Sequence, residues 1–149
     1  MQKGAVVVLC VLTLTIVGSL SSCSNKEDKD IQSLEKTKWK LVGFADVESG
    51  KIEEAEPTDE WCYVLTFKKT NRLEGFTSNN SFEGEYKIDY SKKSINIFIG
   101  FITYAGEYLD GYLYTETLKN VDFFSLQENG LKLYYNDNKN YLLFNPLND

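Results

Sequence analysis

The residues best suited to chemistry are five closely spaced carboxylates in the first half of this 149-residue chain. They lie within residues 48 to 60, a stretch with Gly50 and Pro57 that predicts a loop between two strands. An unstructured loop of about 15 residues is longer than usual and is a frequent place for function. Oxygen ligands grouped in this way could bind Ca²⁺ weakly, although a solvated loop is the simpler interpretation. We therefore expect a contact loop carrying Glu53, Glu54, Glu56, Asp59 and Glu60.

Catalytic chemistry is poorly represented in the composition. The chain has no histidine, which removes the most common general base and the usual partner of a serine or cysteine nucleophile. It also contains no GxSxG, phosphate-loop, HExxH or paired CxxC motif. The net charge of −6 argues against a nucleic-acid partner. The sequence thus predicts no enzyme, with no catalytic residues, no metal and no cofactor.

The amino terminus indicates a covalent modification. Lys3 precedes an apolar run from residue 5 to about 20, which is the layout of a secretory signal. The run ends in Leu20-Ser21-Ser22-Cys23, which resembles the bacterial lipobox. This resemblance implies that residues 1–22 are a lipoprotein signal peptide and that Cys23 is lipidated, with an ordinary signal peptide as the alternative. Two or three acyl chains would make a permanent membrane anchor.

Residues 23–33 are predicted to form the lipidated cysteine and a charged tether. Within it, Lys26, Glu27 and Asp28 resemble the export signal that sends some lipoproteins to the outer face of the outer membrane. We predict an outer-membrane lipoprotein of a Gram-negative bacterium. Whether the domain faces the outside or the periplasm stays open.

Residues 34–149 show the patterning of an antiparallel β domain. The clearest alternation places Phe82, Gly84 and Tyr86 on one face of a strand and Glu83 and Glu85 on the other. Short polar turns separate the segments, so consecutive strands should pair antiparallel. The predicted strands are 39–44, 63–67, 73–76, 81–90, 94–99, 123–126, 131–135 and 141–144.

One segment departs from strand periodicity. Leu109, Tyr112, Leu113, Leu118 and Val121 recur at helical spacing, which predicts a short helix near 112–119 with these residues facing the core. The predicted fold is therefore mainly β (α+β): an antiparallel β-meander that forms a half-open barrel or strongly curved sheet of about 7–8 strands with one short helix.

Two further residue groups have alternative interpretations. Cys62 lies in a strand-like run, so we expect a small buried apolar side chain in preference to a nucleophile. A set of tyrosines could stack on a sugar, although packing in the core is favoured: Tyr104, Tyr108, Tyr112 and Tyr114.

The order of the apolar motifs along the domain is similar to a known family. Leu34-x4-Trp39-x-Leu41 is followed by Leu65-x-Phe67, Asn80-x-Phe82-x-Gly84-x-Tyr86, Leu118-x2-Val121, Leu131-x-Leu133 and Leu142-x-Phe144. This run resembles the META/HslJ-like domain of bacterial envelope proteins. The resemblance implies a structural role for Trp39, Asn80, Phe82, Gly84 and Tyr86, with Gly84 allowing close backbone approach.

The chain departs from that family at two positions. Asn79 and Gly106 stand where family members often carry cysteines, so the resemblance implies a divergent member without that pair. The family is associated with the envelope, stress response and drug tolerance and has no firmly assigned catalytic residues.

These observations favour a non-enzymatic, lipid-anchored envelope domain that acts through protein or ligand contact, with a role in envelope stress tolerance implied by the resemblance. The partners expected are the membrane, through Cys23, and an unidentified protein or glycan. One alternative is a small-ligand or glycan-binding module. Another is an inhibitor of an exogenous hydrolase, in which the acidic loop enters a basic cleft.

Overall fold

A computed structural model describes residues 33–147, which form one strongly curved sheet of antiparallel strands and a short helix. The elements are β1 (Thr37–Asp46), β2 (Ile52–Glu54), β3 (Val64–Phe67), β4 (Arg72–Phe76), β5 (Ser81–Asp89), β6 (Ser94–Ile102), α1 (Gly111–Lys119), β7 (Phe123–Gln127), β8 (Gly130–Tyr135) and β9 (Asn140–Pro146). No helix within residues 33–147 is long and apolar enough to cross a membrane.

The nine strands follow one another around the sheet in the order β2-β1-β3-β4-β5-β6-β7-β8-β9, and β1 also pairs with β9. The sheet therefore closes on itself. One edge of β1 serves two partners, because its first residues pair with β3 and Gly43 to Ala45 pair with β2. Short turns between successive strands account for this meander.

The weakest seam lies between β6 and β7, which pair only at Ser94 and Phe123. Helix α1 packs beside β6 at this seam. Its Tyr114 and Leu118 side chains are fully buried. The helix thus supplies core side chains where strand pairing stops.

The core consists of the inward-facing residues of the sheet. On β5, Phe82 and Tyr86 are buried and the intervening Glu83 is exposed, as the alternation predicted. The Tyr86 ring meets Phe67 edge-on at 4.9 Å between centroids. A Cβ at Gly84 would overlap the backbone carbonyl of Phe98, so this position requires glycine.

The predicted fold class is confirmed, with two local differences. The stretch 48–60, expected to be a loop, contains β2, which pairs with β1 although its own side chains are exposed. The helix spans Gly111–Lys119 but buries a different face from the one predicted, because Tyr112 and Leu113 are exposed. The residues that α1 buries are Gly111, Tyr114, Thr115, Thr117 and Leu118.

Strand β1 has two ends that organise the rest of the molecule. Thr37 pairs with Phe67 at one end, and Asp46 pairs with Asn140 at the other. We call the first the tether end; it holds residues 33–37 and the turns at 68–71, 90–93 and 128–129. We call the second the groove end; it holds residues 46–56, 77–80, 103–113 and 136–139.

Candidate functional site

A groove of about 490 Å³ opens at the groove end. This volume is within the range of about 300 to 1,000 Å³ that is typical of ligand sites. Strand β2, the first turn of α1 and the turn between β8 and β9 form its walls, and Phe44 and Ala45 of β1 contribute to it. The remaining lining residues are Asp46, Lys51, Glu53, Glu54, Glu56, Leu109, Asp110, Leu113, Tyr135 and Asn140.

The polar lining consists mainly of carboxylates, with one ammonium group, that of Lys51. Lys51 Nζ lies 2.7 Å from Glu53 Oε1, and this hydrogen bond, together with the lysine charge, lowers the pKa of Glu53. Asp46 accepts hydrogen bonds from the Ser49 hydroxyl and the Ser49 N–H, at 2.6 and 2.8 Å, and these bonds lower its pKa. Both carboxylates therefore stay ionised at neutral pH.

The remaining carboxylates differ in their bonding. Asp110 accepts a hydrogen bond of 2.9 Å from the Glu56 N–H, which ties the start of α1 to the segment after β2. Within residues 33–147, the Glu54 and Glu56 carboxylates have no hydrogen-bond or ion-pair partner. These two charges are free to meet a ligand.

The apolar lining is unusually exposed. Leu109 is 61% exposed and Leu113 is 49% exposed, and both belong to the start of the helical segment. Leu109 has a φ of 50°, in the left-handed region that costs a residue with a side chain about 1–2 kcal/mol. A large apolar side chain is thus held open to solvent in a strained backbone position.

Tyr135 lies on the opposite wall and is half-buried. Burial, and then the negative charge of Glu53, raise the pKa of its hydroxyl. The phenol therefore remains neutral and can donate a hydrogen bond into the groove.

A hydrogen-bond cluster around Glu107 positions the α1 wall. The Glu107 carboxylate accepts hydrogen bonds from Thr77 Oγ1 at 2.6 Å, Ser78 Oγ at 2.8 Å and Asn80 Nδ2 at 2.7 Å. The three donor residues are buried in the turn between β4 and β5. A Cβ at Gly111 would overlap both the Glu107 carboxylate and the Ser78 hydroxyl, so glycine allows α1 to begin directly on this cluster.

Asn80 extends this cluster to the backbone of the segment that follows β6. Its Nδ2 donates to the Ala105 carbonyl at 2.9 Å, and its Oδ1 accepts from the Ala105 N–H at 2.7 Å and from Thr103 Oγ1 at 2.9 Å. One buried amide thus fixes the path of residues 103–108. The other motif residues, Trp39, Phe82, Gly84 and Tyr86, lie in the sheet away from the groove lining.

The structure divides the predicted acidic contact loop. Glu53, Glu54 and Glu56 line the groove, whereas Asp59 and Glu60 do not. Asp59 lies instead beside Lys40, whose Nζ donates to the carbonyls of Asp59 and Cys62, each at 2.5 Å. The two carboxylates nearest β3 are therefore a separate charge group.

Cys62 lies in the core and is fully buried. Burial raises the pKa of its thiol. Its Sγ approaches the Ser78 carbonyl at 3.7 Å. A buried thiol of raised pKa is a packing residue and not a nucleophile.

The favoured interpretation of the four tyrosines was wrong for three of them. Tyr114 packs in the core, where its ring contacts Tyr63 at 5.4 Å between centroids. Tyr112 is exposed because α1 buries the face that carries Gly111 and Thr115, and Tyr104 and Tyr108 are exposed in the segment that precedes the helix. The Tyr114 hydroxyl is buried without a hydrogen-bond partner among the described residues.

Several predicted residues lie outside the described part of the chain: Cys23, Lys26, Glu27 and Asp28. Within residues 33–147, no group of three or more His, Cys, Asp or Glu side chains is arranged to hold a metal ion. Asn79 and Gly106, the two positions where the resembling family often carries cysteines, lie side by side, since Asn79 Nδ2 donates to the Gly106 carbonyl at 2.9 Å.

Sequence reasoning missed much of the groove. It assigned Leu109 and Leu113 to the core and did not single out Asp46 or Asp110. One signal was available in Asp110-Gly111, because Asp-Gly is a turn dipeptide and Asp is a preferred residue before a helix, which indicates a helix start at Gly111.

Comparison with known proteins agrees with the fold. No protein-family model matches the chain, so the resemblance to META/HslJ-like domains stays a prediction. A Tannerella forsythia protein named "Putative lipoprotein" is 26% identical over 141 residues, covering 93% of this chain and 94% of that protein.

Two solved structures share the architecture. A DUF4847 family protein from Bacteroides vulgatus superposes with a TM-score of 0.60 at 20% identity, covering 74% of this chain and 92% of that chain. A protein from Burkholderia xenovorans gives a TM-score of 0.59 at 19% identity, covering 78% of this chain and 85% of that chain. At these identities the similarity shows the fold.

Proposed function

We propose that this chain is a non-enzymatic, lipid-anchored envelope domain that binds a basic segment of a partner protein in its groove. The anchor is supported by the lipobox-like Leu20-Ser21-Ser22-Cys23 and by the name of the Tannerella forsythia relative. The outer-membrane location is supported by Lys26, Glu27 and Asp28. A role in envelope stress tolerance rests on the META/HslJ-like resemblance.

The observation that carries the binding proposal is the juxtaposition of two unpaired carboxylates with two exposed leucines. Glu54 and Glu56 offer negative charge, and Leu109 and Leu113 offer apolar surface in the same groove. The complementary ligand is a peptide segment in which an apolar side chain is flanked by lysine or arginine. Such a segment would bury the leucines and pair with the carboxylates, whose charges also accelerate the encounter.

The same chemistry includes the hydrolase-inhibitor alternative, in which the acidic residues contact a basic cleft. In that case the acidic side chains would contact the hydrolase without a peptide segment entering the groove. Substitution of Leu109 and Leu113 distinguishes the two arrangements, because a contact made by the carboxylates alone would not need the leucines.

The binding test uses a fluorescent peptide of alternating lysine and leucine, with a glutamate-leucine peptide as the negative probe. Glu54→Gln with Glu56→Gln removes the unpaired groove charges. Asp59→Asn with Glu60→Gln removes the same number of charges from outside the groove. Leu109→Ser with Leu113→Ser removes the apolar surface.

We expect the groove charge variant to weaken lysine-leucine binding about tenfold, since each exposed pair contributes up to about 1 kcal/mol. The leucine variant should weaken it by a similar factor, and the Asp59 and Glu60 control should stay within about twofold. Equal losses in the groove and control charge variants would show a response to net charge alone and would overturn the proposal.

The location is tested by adding external protease to intact cells. We expect cleavage of the wild-type domain and protection when Lys26, Glu27 and Asp28 are neutralised. Protection of the lipidated wild type would instead assign the domain to the periplasmic face.

A further inference from the structure

The tether end carries a group of exposed lysines on its turns. Lys68 and Lys69 follow β3, Lys92 and Lys93 precede β6, and Lys36 precedes β1. Acidic residues lie at the same end: Glu35 and Glu128 on its segments, and Glu74 and Asp89 beside Lys68 and Lys92.

Local ion pairs engage only part of this charge. Lys68 pairs with Glu74 at 2.5 Å and Lys92 with Asp89 at 3.6 Å. Lys36, Lys69 and Lys93 have no ion-pair partner within residues 33–147. Three ammonium groups therefore remain available for an external partner.

Backbone geometry does not explain why two of these positions hold lysine. Lys36 and Lys93 have φ values of 66° and 54°, a left-handed conformation that favours glycine or asparagine. The same conformation occurs at Thr70 and Asn71 of the tether end, and at the groove end it occurs at Gly50, Leu109, Asn136, Asp137 and Asn138. The lysines at the tether end thus occupy backbone positions for which other residues are better suited.

The start of the described chain lies at this same end. The Leu34 N–H donates to the Tyr90 hydroxyl at 2.9 Å, and the Lys36 N–H donates to the Phe67 carbonyl at 2.8 Å. Residues 23–32, which separate Cys23 from the described chain, span at most about 35 Å when fully extended. A lipid on Cys23 would therefore hold the start of the described chain, at the tether end, within about 35 Å of the bilayer.

We infer that the tether end is a docking surface for anionic lipid headgroups, on which Lys36, Lys69 and Lys93 contact headgroup phosphates. This inference rests on the lipid anchor of the proposed function. The lipid supplies attachment and the lysines supply orientation, since anionic membranes attract nearby basic side chains. The acidic groove, at the opposite end of β1 and about 30 Å along the strand, then faces away from the membrane.

The experiment reconstitutes the mature, lipidated protein into vesicles of phosphatidylcholine alone or of phosphatidylcholine with phosphatidylglycerol. Flotation measures attachment, and amine-reactive labelling read by mass spectrometry measures the exposure of each lysine. In the anionic vesicles we expect labelling of Lys69 and Lys93 to slow about fivefold. Labelling of Lys51 and Lys139 at the groove end should change less than about twofold, and about 1 M salt should abolish the difference.

A matched pair of variants tests whether these charges set the orientation. In Lys69→Glu with Lys93→Glu, labelling of Lys36 should no longer respond to anionic lipid. In the control, Lys51→Glu with Lys139→Glu, the same charge change lies at the groove end and the Lys36 response should persist.

Flotation distinguishes a failure of the lipid anchor from a failure of the docking inference. If the protein floats on both vesicle types and loses flotation with Cys23→Ala, the anchor stands; equal labelling on both vesicle types would then overturn the docking inference alone. A wild-type protein that does not float on either vesicle type would overturn the anchor and the docking inference together.

Discussion

The chain reverses direction at both ends of the sheet, but the connecting segments at the two ends differ. At the tether end the turns are short and carry lysines, as in 68–71 and 90–93. At the groove end the turns 77–80 and 136–139 are equally short, but the connections 47–51 and 103–110 are longer and carry carboxylates, and Leu109 and Leu113 are exposed. The same strands reach both ends and fix the positions of the connecting segments. The length and charge of those segments then determine what each end can contact.

The ends also differ in what holds them. Near the tether end, the Phe67 and Tyr86 rings pack edge-on within the core. At the groove end, the buried amide of Asn80 and the carboxylate of Glu107 fix residues 103–108. Apolar packing should therefore contribute most to stability at the tether end, and hydrogen bonds to buried polar groups should contribute most at the groove end.

The largest effect is expected from Tyr86→Ala at the tether end. Removing a buried aromatic ring leaves a cavity and should lower the free energy of unfolding by about 3–5 kcal/mol. Tyr86→Phe keeps the ring and loses only a long hydroxyl contact, 3.4 Å from the Lys68 carbonyl, so it should cost less than about 1 kcal/mol. Denaturant unfolding measures both; similar losses would assign the stability to the hydroxyl and break the comparison.

Next in size is Asn80→Ala at the groove end. The substitution leaves buried partners of the amide unsatisfied, which should cost about 3 kcal/mol. Asn79→Ala is the matched control, because Asn79 is exposed and its side chain donates one hydrogen bond, to the Gly106 carbonyl. It should cost about 0.5–1 kcal/mol by chemical denaturation. A control as costly as Asn80→Ala would show that the turn conformation, and not the buried amide, holds this end.

The two ends were also unequally predictable from the sequence. The strands and their antiparallel order follow from alternation and short turns, which are local signals, as at Phe82 to Tyr86. Strand β2 was missed because it is short and exposed on both faces, so its pairing with β1 leaves no apolar pattern.

The groove was less predictable because long-range contacts form it. The face that α1 buries depends on Gly111 fitting against Glu107 and Ser78, residues that sequence periodicity does not connect. Hydrophobicity alone assigned Leu109 and Leu113 to the core, whereas α1 buries the face on which Gly111 packs against the Glu107 cluster and Thr115 donates to the backbone of its own helix. The charge of the acidic loop is visible in the sequence. Which of its carboxylates line the groove depends on the position of α1, which the sequence does not give.

A smaller effect is expected from two tyrosines that pack against each other near the groove end. The Tyr63 hydroxyl donates to the Glu56 carbonyl, whereas the buried Tyr114 hydroxyl has no partner among residues 33–147. Tyr114→Phe should therefore raise the free energy of unfolding by about 1 kcal/mol, and Tyr63→Phe should lower it by about 1 kcal/mol. Thermal unfolding of the two variants measures whether each change stabilises or destabilises the protein. Destabilisation by Tyr114→Phe would show that the Tyr114 hydroxyl has a hydrogen-bond partner.

The smallest effect compares two aspartates that cap turns at opposite ends. Hydrogen bonds from Ser49 lower the pKa of Asp46 at the groove end, and hydrogen bonds from Ser91 and from the Lys92 N–H lower that of Asp89 at the tether end, with a further contribution from the Lys92 charge. A carboxyl whose pKa is lowered by folding stabilises the protein above its unfolded pKa, and this stabilisation is lost as the pH falls through the folded value.

Salt should distinguish the two aspartates, because it screens charges far more than hydrogen bonds. In an NMR titration of the side-chain carboxyl carbons, about 1 M salt should move the pKa of Asp89 upward and leave that of Asp46 nearly unchanged. Lys92→Gln should reproduce the upward shift of Asp89 without salt. Equal salt responses at both residues would mean that the Lys92 charge does not distinguish the tether end from the groove end at these turns.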